Sequence, residues 1–274
     1  MSLVPGFGVN YKSAQANWAT DMAYFKSIKN PKTPFGIRPN LTNGTLTDAP
    51  SDNGGNANLS YWFECAQFFA ADPDFFVTCG ISGEPGCLSS SLWSSYASGV
   101  IANAQYMQEN NIVLGDYEIG NELENAISPQ IYSLTQTSGT ATCVLSVAHN
   151  FQNGEEVTIW NVTPGSWNGT YGITVVNSTT FTFSVSSSLA NPINPYPGWC
   201  YSLSMTQLIT NIQELATSCH GVNSTTPISY GMGGASVNGI NPYTQWISAG
   251  LGGLDTVSIH PYGNINLGTL LAMM

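Results

Sequence analysis

The chain has 274 residues and a formal net charge of −11, a length that fits one large domain or a large one with a small companion and excludes a peptide hormone. Only 8% of the residues are charged, whereas 42% are hydrophobic and 11% aromatic, which is enough to bury a core and unlike the composition of a disordered chain. Lys12, Lys26, Lys29, Lys32 and Arg38 are the only Lys and Arg residues, so nucleic acid is excluded as a partner, and no apolar run of about 18 residues exists to span a membrane.

Short apolar runs alternate with helix-like stretches through the first half, the pattern of βα units around a parallel sheet. Strands are predicted over 6–10, 35–39, 75–79 and 113–119, and helices over 17–28, 59–70 and 91–110. From about Leu134 to Leu203 the chemistry changes to alternating Thr, Ser, Val and aromatic residues. Strands are predicted there over 142–147, 156–161, 170–176 and 180–185, with turns at Asn153-Gly154 and Asn168-Gly169. Helix signals return over 205–218 and 243–249, with strands over 228–231 and 256–260. Six βα units at roughly 34 residues each match the pitch of a (β/α)8 barrel. The expected fold class is therefore α/β: a TIM (β/α)8-type barrel with only six βα units present and an inserted small all-β domain. The expected boundaries are 1–133 for the first barrel part, 134–203 for the all-β module and 204–274 for the incomplete continuation. A doubly wound open sheet is the structural alternative, but no GxGxxG or GxxxxGK[ST] loop follows the first strand, so no nucleotide cofactor is expected.

The six cysteines (Cys65, Cys79, Cys87, Cys143, Cys200, Cys219) form no CxxC pair, which argues against a zinc ribbon, and no metal site is expected. With so little Lys, Glu and Arg, a secreted protein with some disulfides is the expectation. The start, Met1-Ser2-Leu3-Val4-Pro5, lacks a basic n-region and an apolar h-region, so no export signal is expected within this sequence. Seven Asn-x-Ser/Thr sequons occur, but about five arise by chance in so Ser- and Thr-rich a chain, so they decide nothing about glycosylation.

The most specific stretch is Gly115-Asp116-Tyr117-Glu118-Ile119-Gly120-Asn121-Glu122-Leu123-Glu124. An amide beside a carboxyl at a strand end can hold a sugar hydroxyl while the carboxyl transfers a proton to the glycosidic oxygen. YEIGNELE after a fourth strand resembles the acid/base motif of clan A glycoside hydrolases, the retaining enzymes that include cellulases, xylosidases and β-glucuronidases. Val257-Ser258-Ile259-His260-Pro261-Tyr262 is similar to the His-Pro-Tyr segment that many of them place beside the substrate, and Arg38 ends the second strand where the clan often keeps an Arg. The resemblance implies Glu122 as general acid/base, Asn121 on the hydroxyl next to the anomeric carbon, and His260 and Tyr262 around the reacting sugar. Arg38 would orient the nucleophile. Glu118 is either a supporting carboxylate or a core hydrogen-bonding group, and Trp62, Trp93 and Trp246 either stack on sugars or fill helix cores.

The retaining mechanism needs a second carboxylate, which this clan supplies from a seventh strand, and no Asp or Glu follows Asp255. The nucleophile is therefore expected to be missing from this chain. Two functions stay open: a secreted hydrolase of β-glycosidic bonds, or a non-catalytic extracellular or virion protein that binds glycan or assembles. Either takes an oligo- or polysaccharide as partner. The segment NFQNGEEVTIWNV with NGTYGITVV and TTFTFSV resembles small β-domains repeated in phage-tail and bacterial surface proteins. Cys143 with Cys200 near its ends, and Cys79 with Cys87, are candidate pairs among 15 pairings. So few basic groups limit self-repulsion in acid, so tolerance of low pH is expected, and the low charge near the pI of about 4.3 favours self-association.

Overall fold

The computed structural model describes residues 7–11, 15–29, 31–42, 59–82, 88–125, 127–192, 198–233 and 242–260. Six parallel strands, β1 (Phe7–Tyr11), β2 (Phe35–Thr42), β3 (Phe75–Ser82), β4 (Asp116–Asn121), β11 (Ile228–Gly233) and β12 (Thr256–His260), lie side by side in chain order. Helices α1 (Trp18–Ile28), α2 (Leu59–Ala70), α3 (Ser90–Glu109), α4 (Met205–Val222) and α5 (Pro242–Ala249) lie in the connections. Right-handed crossovers between strands in unbroken order put every helix on one face of the sheet.

The strand sequences agree with one-sided cover. Phe35 and Ile37 of β2, Val77 of β3, and Tyr117 and Ile119 of β4 are buried on the helix side, where Phe25 of α1 stacks on Phe35 with centroids 4.9 Å apart. The hydroxyl of Tyr96 in α3 donates to the Ile119 carbonyl over 2.6 Å. The alternate positions, Arg38, Asp116, Glu118 and Ser229, point to the other face. A sheet sandwiched between two helix layers would carry apolar residues at both sets of positions.

The expected TIM (β/α)8-type barrel is not the architecture. The six parallel strands form an open sheet with β1 and β12 at its edges, and the barrel that closes is antiparallel, in the order β10-β5-β6-β9-β8-β7. Its strands are β5 (Gln130–Thr137), β6 (Thr140–Leu145), β7 (Glu156–Trp160), β8 (Gly169–Asn177), β9 (Thr180–Ser184) and β10 (Gly198–Tyr201). Unit length and strand order are common to an open sequential sheet and a parallel barrel; closure depends on pairing between edges, and no β1–β12 pairing exists among the described residues. Two strands absent from the sequence reading, β5 and β10, close the antiparallel ring. A register shift after Ile131 breaks the alternation of β5, and β10 has four residues, so neither carries a full period-2 signature.

The antiparallel barrel has its own core of Ile131, Leu134, Val157, Ile159, Trp167, Phe181 and Phe183. Ser138 (φ 51°) and Gly139 (φ 88°) turn β5 into β6, the paired positive φ values of a two-residue type I′ hairpin. It is tied to the N-terminus of α3 through Glu155, whose carboxylate accepts from the hydroxyls of Ser90 (2.7 Å) and Ser91 (2.9 Å). A carboxylate there complements the positive end of the helix dipole. Cys143 and Cys200 are buried thiols not joined in a disulfide, contrary to the expected staple. Cys143 lies opposite Leu134 of β5 and the Cys200 N–H bonds the Pro129 carbonyl, so the two sit about 16 Å apart along the strand, beyond the roughly 7 Å Cα limit for a disulfide. Cys87 of the other expected pair lies outside the described residues.

Candidate active site

Two of the expected site residues, Arg38 and Asn121, meet Glu118 on the face of the sheet away from the helices. Arg38 donates through Nη2 to Glu118 Oε1 in a short ion pair and to Asn121 Oδ1 at 3.0 Å. Glu118 and Asn121 are three apart, so strict alternation would put them on opposite faces. The pairing of β4 with β11 explains their meeting: Ser229 is opposite Glu118 and Gly231 opposite Asn121, with a register shift between. Two steps on β11 thus match three on β4, a bulge that turns Asn121 onto the face of Glu118.

Gly120 occupies the bulge. A Cβ there would stand 2.8 Å from Leu123 Cδ1, 3.0 Å from the Tyr230 ring and 3.0 Å from the Tyr96 hydroxyl. Gly120→Ala is expected to cost about 1–3 kcal/mol by overpacking and to disturb the Arg38–Asn121 contact. Urea denaturation of the variant checks this, and an unchanged midpoint would contradict it.

Glu122 leaves the strand in the left-handed region, φ 53°, which is uncommon for a non-glycine residue and held only where the surroundings dictate it. Its N–H donates to the Gly231 carbonyl over 2.6 Å. The next N–H, of Leu123, donates to the Tyr230 hydroxyl at 2.9 Å, and that hydroxyl donates in turn to Glu124 Oε2 in a short bond. Burial and the adjacent Glu124 charge push the Tyr230 phenol well above its usual range. Glu122 itself is 6% exposed. The segment carrying it is therefore anchored on both sides to β11.

Asp116, without an assigned role in the sequence reading, lies below this cluster on the same face. The Ser229 hydroxyl donates to its Oδ2, and its Oδ1 is buried with no hydrogen-bond partner. Burial drives its carboxyl up to about 7; the Ser229 bond opposes the shift, and the charges of Glu118 and Asp255 add to it. The signal available in the sequence was the alternation of Asp116 with Glu118 in a strand facing the single Arg.

His260 ends β12, paired with Gly233 of β11, so its backbone is at the same C-terminal end of the sheet as Asn121. Tyr262 lies outside the described residues. The tryptophans divide differently from the sugar-stacking expectation: Trp246 is 4% exposed and stacks on Tyr230 with centroids 5.2 Å apart, and Trp93 packs against the core. Trp62 belongs to α2, but its side chain is outside the described set. Among the described residues no group of three His, Cys, Asp or Glu side chains could hold a metal ion, and no helix is long and apolar enough to cross a membrane.

No protein-family model matches the chain, and no curated protein does. Among solved structures it is similar to the β-mannanase of the blue mussel Mytilus edulis, at 12% identity and a TM-score of 0.38 over 93% of this chain and 67% of that one. It is also similar to the endo-1,4-β-mannanase of Eisenia fetida, at 12% identity and a TM-score of 0.41 over 95% of this chain and 69% of that one. At that identity and those scores, neither likeness assigns a substrate or a mechanism to this chain.

Proposed function

We propose that this protein is an extracellular glycoside hydrolase acting on β-linked polysaccharide, with Glu122 as general acid/base. The observation that carries the reading is the Arg38 guanidinium bridging Glu118 and Asn121 immediately before Glu122 at the C-terminal end of β4. Asn121 Oδ1 accepts from Arg38, so the amide nitrogen is the group left to donate to a sugar hydroxyl. Glu122, protonated, gives its proton to the glycosidic oxygen as the C–O bond breaks and the alcohol departs; the oxygen of an incoming water then bonds to the anomeric carbon and its proton returns to the Glu122 carboxylate. His260 and Tyr262 are proposed to line the same sugar subsite. A retaining course needs a second carboxylate about 5–5.5 Å away, and NMR of the newly released anomer distinguishes retention from inversion.

Glu122→Gln is expected to lower kcat/KM on β-linked gluco-, xylo- and manno-oligosaccharides by at least about 10²-fold. Aryl β-glycosides should lose less in bond cleavage, because a phenolate departs without a proton. Unchanged turnover of the oligosaccharides would overturn the assignment. The burial of Glu122 favours a second reading, a protein that binds glycan without cleaving it; oligosaccharide binding by the unsubstituted protein with no product released would support that reading.

A further inference from the structure

We infer that the outer wall of the antiparallel barrel carries a separate glycan-binding surface, a row of aromatic rings from Trp160, Trp199 and Tyr132 that takes a neutral polysaccharide chain. The ligand class rests on the polysaccharide reading of the Glu122 site; the surface itself rests on other residues.

Along β7, Val157 and Ile159 are buried in the barrel, so Thr158 and Trp160 face outward. Along β10, Cys200 is buried and Trp199 and Tyr201 are half-buried. Trp199 is paired directly with Trp160, and Tyr201 with Thr158, so the two indoles lie side by side, centroids 5.7 Å apart and planes inclined by 33°. On the other side of β10, Trp199 pairs with Gln130 of β5. Tyr132, two residues along from Gln130, is on the diagonal from Trp199 and is 73% exposed. Three adjacent strands thus present an indole, an indole and a phenol across the sheet. The interior does not need them: Trp167 fills the core and satisfies its indole N–H on the Ala190 carbonyl at 2.9 Å.

Charge selects the occupant. Between Gln130 and Tyr201 there is no Lys or Arg, and the acidic residues are Glu155 and Glu156, of which Glu155 is engaged by the serines of α3. An anionic ligand finds no Lys or Arg on the barrel's own segment, and the Arg that accompanies aromatic rings in protein interfaces is absent from it. Hydroxyl and amide groups flank the rings instead, with the Thr158 and Thr170 hydroxyls 2.9 Å apart and Gln130 beside Trp199. Flat apolar faces edged by neutral donors and acceptors complement a β-linked neutral sugar chain, whose C–H faces stack while its equatorial hydroxyls bond outward.

The test is co-sedimentation with insoluble cellulose, xylan and mannan. The unsubstituted protein is expected to be retained on at least one. Trp199→Ala and the surface variant Tyr132→Ala are expected to weaken retention at least about tenfold while hydrolysis of short oligosaccharides is unchanged. Glu122→Gln should bind like the unsubstituted protein. Retention unaffected by both aromatic variants, no retention on any of the three, or a dimer that Trp199→Ala converts to monomer would overturn the proposal. Retention intact, with no hydrolysis by the unsubstituted protein or undiminished hydrolysis by Glu122→Gln, would overturn the Glu122 reading alone.

Discussion

Replacing Arg38 with methionine is expected to cost about 3–5 kcal/mol of folding stability. Arg38 is the partner of Glu118, whose side chain is 4% exposed, and removing the guanidinium leaves a carboxylate away from water with its main counter-charge gone. Methionine keeps most of the aliphatic length, so the loss reports the charge rather than a cavity. At about 2–4 °C per kcal/mol for a chain near this size, Tm should fall by roughly 6–20 °C. The double variant Arg38→Met/Glu118→Gln should recover most of that, because a neutral amide carries a smaller desolvation penalty. A single-variant cost below about 1 kcal/mol, or a double variant no better than the single, would show that the pair does not have this role. The contact also fixes the Asn121 amide, so any hydrolysis should fall with stability in Arg38→Met and remain depressed in the double variant.

Asp116 should make the fold more stable in mild acid than at neutral pH. Burial pushes its folded carboxyl up to about 7 from the ordinary aspartate value of 3.8, so between those values the folded state binds the proton and the unfolded chain does not. The contribution is complete below about 4 and is lost as pH rises to about 7, on the order of 4 kcal/mol in total. The groups acting on it are Ser229, Glu118, Asp255 and Arg38, and His220 lies 3.1 Å from Asp255. Other groups run the opposite way: the Glu155 carboxyl is held low by its serine and backbone hydrogen bonds despite partial burial, and burial lowers His149. Both contribute stability that is lost as pH falls. The clean measurement is therefore the difference between unsubstituted protein and Asp116→Asn in urea at pH 4, 5.5, 7 and 8. The asparagine variant should gain relative stability as pH rises, and a difference independent of pH would refute the assignment. The direction agrees with the acid tolerance expected from a chain of 5 Lys and Arg and 3 His residues, which cannot build up much positive charge.

On the proposed reading, the site and the barrel wall would divide the work of a polysaccharide-active protein between them. Proton transfer needs a carboxyl held on a rigid, water-poor strand end, and the anchoring of Glu122 to Gly231 and of Leu123 to Tyr230 meets that need. Holding a long chain needs flat area instead, for which the half-buried paired indoles of β7 and β10 and the exposed Tyr132 are proposed.

The sequence by itself determined most of the elements, with β5 and β10 as the exceptions. Apolar periodicity located the helices and parallel strands, because burial of one face imposes a period of 2 on strands and 3.6 on helices. The run 35–39 was legible as a strand with Arg38 at its end, and the Asn121-Glu122 pair was visible as the end of another. What only the tertiary structure decided were the quantities set by contacts distant in sequence. Whether a run of parallel strands stays open or closes depends on which edges pair, and the local pattern is the same for both. The joining of Glu118 with Asn121 depends on one extra residue in β4 relative to β11, a property of the pair of strands rather than of either. The near-neutral titration of Asp116 depends on its burial beside Ser229, Glu118 and Asp255, from three different parts of the chain. The separation of Cys143 from Cys200 follows from their registers on β5, which no spacing in the sequence encodes.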